Sequence, residues 1–147
     1  MRLLLPPSQR ERIARHGEEA YPGECCGLLV GTLRPGRDGE GDTYVVARAE
    51  PCRNLRAAEA NDRFELDPQD FLRVDADAQR DGLEVIGVYH SHPDHAPRPS
   101  RFDAAGAFPG FAYLIVAVRS GRAAGMRSWL LAPDGAFVEQ VIEAAGE

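Results

Sequence analysis

Short apolar runs alternate with Gly- and Pro-rich breaks along the chain, and their periods assign most of the elements. Ser8-Gln9-Arg10-Glu11 has capping-box spacing, with Pro6-Pro7 ahead and Ile13, Ala14, Gly17 and Ala20 spaced behind. This predicts a first helix that ends before Tyr21-Pro22-Gly23. Residues 26–32 read as a buried strand, and the Gly/Pro-rich stretch 34–42 links it to 43–49 as a hairpin with a long loop. A further short strand is predicted over 63–66. Asp67-Pro68 supplies an N-cap and a proline at the first helical position, and Gly82 is placed to end that helix after Asp81, with Phe71, Leu72 and Ala78 facing inward.

Residues 83–89 form an apolar, β-rich run that leads straight into His90, after which Pro93, Pro97 and Pro99 exclude regular structure until Ser100. Residues 112–118, 125–131 and 137–142 read as later strands, with Pro133-Asp134-Gly135 as the turn between the last two. Strands interleaved with helices make the class mixed α/β.

Composition narrows the function classes. At 147 residues the chain suits one domain spanning 1–147, with roughly 70% of the unfolded surface buried. Its net charge of -6 would repel phosphate backbones and anionic membranes, so neither a nucleic acid nor a membrane is expected as a partner. No apolar run approaches the roughly 20 residues needed to span a bilayer. Cys25, Cys26 and Cys52 are odd in number, form no C-x-x-C pair, and follow an N-terminus without a signal-peptide core, so a reducing cytoplasm is expected.

The chemistry concentrates in His90-Ser91-His92-Pro93 and Ser100-Arg101-Phe102-Asp103. Two histidines so spaced are expected to converge once the chain leaves the strand at Ser91, which places the motif on a strand-to-helix loop. Asp103, in the first turn of a helix capped by Ser100, can face back towards them. His90, His92 and Asp103 then make a three-ligand set with an open fourth position, a catalytic zinc count. Two neutral imidazoles and one carboxylate leave the site with a net +1, which favours ionisation of water towards a pKa of about 7. Taken singly, each half reads more simply as solvated histidines and an ordinary helix cap; their conjunction points to metal.

This pattern resembles the JAMM (MPN+) zinc metallopeptidase motif, and within that family the small stand-alone bacterial type. The resemblance implies a three-layer, cytidine-deaminase-like α/β sandwich with a mixed central sheet and one Zn2+ per chain. It also implies an upstream glutamate, which Glu24 in Pro22-Gly23-Glu24-Cys25-Cys26-Gly27 matches. Within hydrogen-bond reach of the attacking water, Glu24 would act as general acid/base, for a gain of about 10² to 10⁴. Ser100 would donate to the oxyanion, a contact whose deletion costs about 10² to 10³ in rate. The implied substrate is the amide after the C-terminal Gly-Gly of a ubiquitin-like or sulfur-carrier β-grasp protein, with release of cysteine or another amino acid in the bacterial type. Ser91 is expected to point away from the site, as loop support. Cys25 and Cys26 should face opposite sides of a strand, one filling core and the other near the metal pocket.

Two alternatives remain. His90-Ser91-His92-Pro93-Asp94-His95 also spells the H-x-H-x-D-H signature of metallo-β-lactamase-type hydrolases, although no histidine follows His95 to complete a second metal site. The same fold also occurs as a non-catalytic MPN scaffold, which stoichiometric zinc and hydrolysis would distinguish.

Overall fold

In a computed structural model of the chain, which describes residues 1–37, 39–58 and 63–145, seven strands form one mixed sheet. The strands are β1 (Arg2–Leu5), β2 (Cys26–Arg34), β3 (Thr43–Cys52), β4 (Glu84–Pro93), β5 (Ala112–Arg119), β6 (Arg122–Leu131) and β7 (Phe137–Ala144). Their order is β1-β3-β2-β4-β5-β6-β7, and β1 pairs in parallel with both β3 and β7, so the sheet closes on itself. The mixed α/β expectation is met, while the sheet closes as a barrel rather than standing as the open central sheet of a three-layer sandwich.

Period-two alternation, interrupted on β4 by the register shift opposite Leu29 and Val30, sorts the core into two clusters. Leu29, Ile86, Tyr89, Leu114 and Val116 pack with Ile13 of α1 (Pro7–Ala20), together with Leu3 and Leu5 of β1. Leu28, Val30, Val85 and Val88 pack with Val74 and Ala78 of α2 (Pro68–Arg80). A register shift between Val30 and Gly31 accompanies the close approach of Gly31 to Val45, whose carbonyl oxygen leaves no room for a Cβ.

Several local expectations hold. Asp67 caps α2 by accepting from the Gln69 N–H at 2.9 Å, and Gly82 leaves the helix at φ 72°. Others are corrected. α1 starts at Pro7, with the Pro6 carbonyl accepting from Gln9 and Arg10, so Pro6 is the N-cap and Ser8 lies inside the first turn; a proline at the first helical position needs no N–H partner. Leu72 is 68% exposed, because Phe71, Val74 and Ala78 follow the 3.6-residue period and Leu72 falls off that stripe. Over 63–66 there is only an isolated antiparallel bridge between Asn54 and Leu66.

Candidate metal centre

β4 carries His90 and His92 within a continuous strand, still paired in parallel with β5 at Ile115 and Ala117. The expectation that the chain must leave the strand at Ser91 is therefore corrected. Residues two apart on a strand share a face, so convergence needs no departure. Ser91 points the other way, where its Oγ accepts from the Cys25 N–H at 2.8 Å and ties β4 to the start of β2. Only 94–100 connects β4 to α3 (Arg101–Ala105).

Asp103 arrives on α3 through a reciprocal cap. Its N–H donates to Ser100 Oγ at 3.1 Å, while the Ser100 N–H donates to Asp103 Oδ2 at 2.8 Å. The carboxylate then lies 3.1 Å from His90 Nε2 through Oδ1 and 3.1 Å from His92 Nε2 through Oδ2, and the two Nε2 atoms are 3.2 Å apart. A tetrahedral zinc with ligands at about 2.0–2.1 Å has ligand–ligand edges of about 3.3 Å; each of these separations is near that length, and with one ligand atom per residue the three groups lie within 4.8 Å of one another. All three side chains are buried, His90 at 1% exposure.

Orientation and protonation fit the same ion. His92 Nδ1 lies 2.8 Å from the Ala96 carbonyl, which fixes Nδ1 as the protonated nitrogen and turns the Nε2 lone pair towards the triangle. Burial pushes the His90 imidazole down from its ordinary value. Burial alone would lower His92 too, but Asp103 and the Ala96 carbonyl outweigh it and raise it. Burial opposes ionisation of Asp103, yet the His90 and His92 imidazoles against its carboxyl and the hydrogen bond from the Ser100 N–H hold it far below the usual carboxylate range. An ionised carboxylate beside a neutral imidazole is the state in which such a site takes a metal. Phe64 stacks on the His90 ring at 4.5 Å between centroids.

The segment 94–99 is held at both ends. Asp94, at φ 57°, accepts from Tyr21 Oη at 2.6 Å and from the Ser120 N–H at 2.9 Å. Trp129 Nε1 donates to the Pro97 carbonyl at 3.0 Å. Asp94 is thus turned away from the triangle, and among the described residues the group that could hold a metal is His90, His92 and Asp103.

Glu24, two residues before the start of β2, is 4% exposed. Its carbonyl accepts from Asn54 Nδ2 at 2.9 Å, and it shares a cavity of about 330 Å³ with His92 and Ser100. A second cavity of about 560 Å³ opens on the His90 and Asp103 side, lined chiefly by Phe64, Leu66, Phe71, Phe108 and Phe111. Sequence reasoning missed Asn54, Phe64, Ala96 and Trp129, which support the site through contacts that no local spacing announces. The three thiols are buried; burial pushes Cys25 and Cys52 up to about 12 and raises Cys26 as well, so none is a thiolate at neutral pH.

The chain is similar to known proteins over most of its length. The family described as prokaryotic homologs of the JAB domain matches residues 6–132. A desampylase of Haloferax volcanii is 35% identical over 119 residues, covering 78% of this chain and 79% of that protein. The solution structure of a protein from Desulfitobacterium hafniense is similar with a TM-score of 0.81 at 33% identity, covering 99% of this chain and 94% of that one. Another from Salinibacter ruber has a TM-score of 0.71 at 41% identity, with 99% and 92% covered.

Proposed function

Because the chain belongs to the family of prokaryotic JAB-domain homologs, we propose that it is a zinc metallopeptidase cleaving the amide after the C-terminal Gly-Gly of a ubiquitin-like or sulfur-carrier protein. The observation that carries this reading is the convergence of His90, His92 and Asp103 on one point beside the cavity shared by Glu24 and Ser100. Similarity to a desampylase favours a protein modifier as the acyl half of the substrate. Residues 1–147 act as one catalytic domain holding one zinc and working in the cytoplasm. Among the described residues no helix is long and apolar enough to cross a membrane.

His90, His92 and Asp103 would hold the ion, which supplies a Lewis acid that acidifies water towards about pH 7 and polarises a carbonyl. Glu24 accepts a proton from the attacking water and delivers it to the departing nitrogen. Ser100 Oγ already accepts from the Asp103 N–H, which leaves its own hydrogen to donate to the carbonyl oxygen as negative charge develops there. The water oxygen ends on the glycine carbonyl carbon, the C–N bond breaks, and a carboxylate and an amine are released. Glycines suit the approach, since an extended tail without side chains can lie close to sheet backbone.

The test incubates the zinc-loaded protein with a Gly-Gly-Cys-extended sulfur carrier and with a lysine-linked conjugate, read by mass spectrometry, beside Glu24→Ala. Cleavage by the parent with a loss of about 10² to 10⁴ in the variant is expected. A folded, zinc-loaded variant that cleaves as fast as the parent overturns the mechanism. A parent that takes up no stoichiometric zinc and cleaves neither substrate is a scaffold.

A further inference from the structure

We propose that Ser91 and Asn54 are positioning residues for Glu24, which clamp from opposite sides the peptide unit joining Glu24 to Cys25 and so fix the backbone from which Glu24 acts. This rests on the reading of Glu24 as the group that carries a proton from water to the leaving amine. A trans peptide unit is planar, with its C=O and N–H pointing opposite ways. The Glu24 carbonyl accepts from Asn54 Nδ2 at 2.9 Å, and the Cys25 N–H donates to Ser91 Oγ at 2.8 Å. The holders stand on either side because β2 lies between β3 and β4 in the sheet. Asn54 is the second residue after β3, and Ser91 lies on β4 between the two histidines.

The ladder between β2 and β4 shows what the Ser91 side chain does. Cys26 stands opposite His90, which makes Cys25 and Ser91 the next opposed pair. Opposed residues of a hydrogen-bonded antiparallel pair exchange both backbone bonds. Here the Ser91 N–H donates to the Cys25 carbonyl at 3.2 Å, but the returning Cys25 N–H goes to Ser91 Oγ. The chain is thus parting from the ladder at the residue after Glu24, and a side chain of the ligand-bearing strand holds it there. Both residues are buried, so a Cys25 N–H deprived of Oγ has no solvent to turn to.

Asn54 is fixed in turn. Its Oδ1 accepts from the N–H groups of Arg56 and Glu65, each at 2.9 Å, and the amide orientation that allows this is the one that turns Nδ2 to Glu24. Glu65 follows Phe64, whose ring stacks on His90, so one side-chain amide joins the backbone of Glu24 to the segment lying against a metal ligand. The Glu24 carboxylate sits at the end of three rotatable bonds and faces the cavity it shares with His92 and Ser100. A misplacement of about 1 Å at such a group costs on the order of 10²-fold in rate. Ser91 Oγ points away from the histidines and Asn54 bonds three backbone groups, so both act on the reaction through Glu24.

The experiment uses zinc-loaded protein and a Gly-Gly-extended substrate, with kcat taken at the plateau of its pH profile. Ser91→Ala removes the acceptor. Asn54→Asp keeps the oxygen that holds Arg56 and Glu65 but turns a second acceptor towards the Glu24 carbonyl, and it carries the test if Ser91→Ala does not fold. Each should lower kcat by about 10- to 100-fold, with KM and zinc affinity by chelator competition unchanged. In a Glu24→Ala background neither should cost much more, since the group they position is gone. Equal losses in both backgrounds overturn the positioning role while the slow Glu24→Ala protein keeps the Glu24 reading. Independently of turnover, hydrogen exchange at the Cys25 amide is followed by NMR. Both variants should speed it about fivefold and leave the Leu28 and Leu29 amides protected. Asn54→Asp decides, because Asn54 does not touch that N–H and reaches it only through the shared plane; a Cys25 amide as slow as in the parent refutes the clamp. If exchange accelerates in both variants while Glu24→Ala cleaves at the parent rate, the clamp stands and the Glu24 reading falls.

Discussion

Ser100 carries two separable roles, and substitution can pull them apart. Its Oγ accepts from the Asp103 N–H at 3.1 Å, closing the cap that presents Asp103, and its hydrogen is assigned to the carbonyl oxygen of the substrate. Ser100→Ala removes both. Losing an N-cap side chain costs about 1 kcal/mol, which for a chain of this size lowers Tm by roughly 2–4 °C; losing an oxyanion donor slows hydrolysis about 10² to 10³. Ser100→Gly separates them, because glycine caps a helix within a few tenths of a kcal/mol of serine yet has nothing to donate. Thermal unfolding should be followed in chelator, where metal binding does not add to the apparent stability, and hydrolysis of a Gly-Gly-extended substrate at saturating zinc. The expected pattern is a lowered Tm only for Ser100→Ala, a slow rate for both, and recovery of both by Ser100→Thr. A Ser100→Gly protein that cleaves at the parent rate refutes the donor role and leaves Ser100 as a cap.

Other perturbations follow from contacts away from the metal. A Cβ on Gly27 would run into the ring of Tyr89, which is fully buried and bonded through its hydroxyl to His16 Nδ1 at 2.7 Å; Gly27→Ala should cost about 1–3 kcal/mol in urea unfolding, and an unchanged midpoint would mean the ring can yield. Burial holds the His16 pKa below 6.5, so the unfolded chain binds the proton first and the stability contribution is full above pH 6.5 and lost as pH falls through the lower folded value. The stability gap between parent and His16→Gln should therefore narrow from pH 8 to pH 5 in zinc-loaded protein, and a gap that widens towards acid contradicts the assignment. Trp129→Phe removes the donor to the Pro97 carbonyl and frees one end of the segment that carries Ala96. Zinc affinity by chelator competition should drop about tenfold, and an unchanged affinity would assign the hold on His92 to Asp94 alone.

The elements that the sequence announced were those with their own local chemistry. α2 was legible at both ends because Asp67-Pro68 and Gly82 each do something only a helix boundary requires. β2, β3 and β5 to β7 were legible as apolar runs between turn residues. β1 was not, since Arg2–Leu5 is four residues long and is a strand because β3 and β7 present edges to both sides of it. The end of β4 was misjudged for a related reason. Three prolines after His92 argue locally against a strand, but Pro93 is its last residue, and the pairing with β5 continues through the histidines to that point. Tertiary partners decide such stretches, and no local window contains them.

The ligands themselves were legible because zinc constrains residue type, and two histidines with a carboxylate satisfy it whatever the surrounding fold. What the sequence left open was which carboxylate, since Asp94 stands closer along the chain to both histidines than Asp103 does. The backbone decides this. After Pro93 the chain turns through φ 57° at Asp94, whose N–H bonds to the Val118 carbonyl and whose carboxylate is taken up by Tyr21 and the Ser120 N–H. That turn sends 95–99 back so that Ala96 meets His92 Nδ1, and the next helix delivers Asp103 to both Nε2 atoms. Asp94 is thus excluded as a ligand by the same contacts that fix the orientation of one. The partners responsible lie 73 residues before it and 26 after it. The H-x-H-x-D-H spelling and the observed triangle therefore compete for the same histidines, and the choice between them is made at Tyr21 and Ser120, outside either motif.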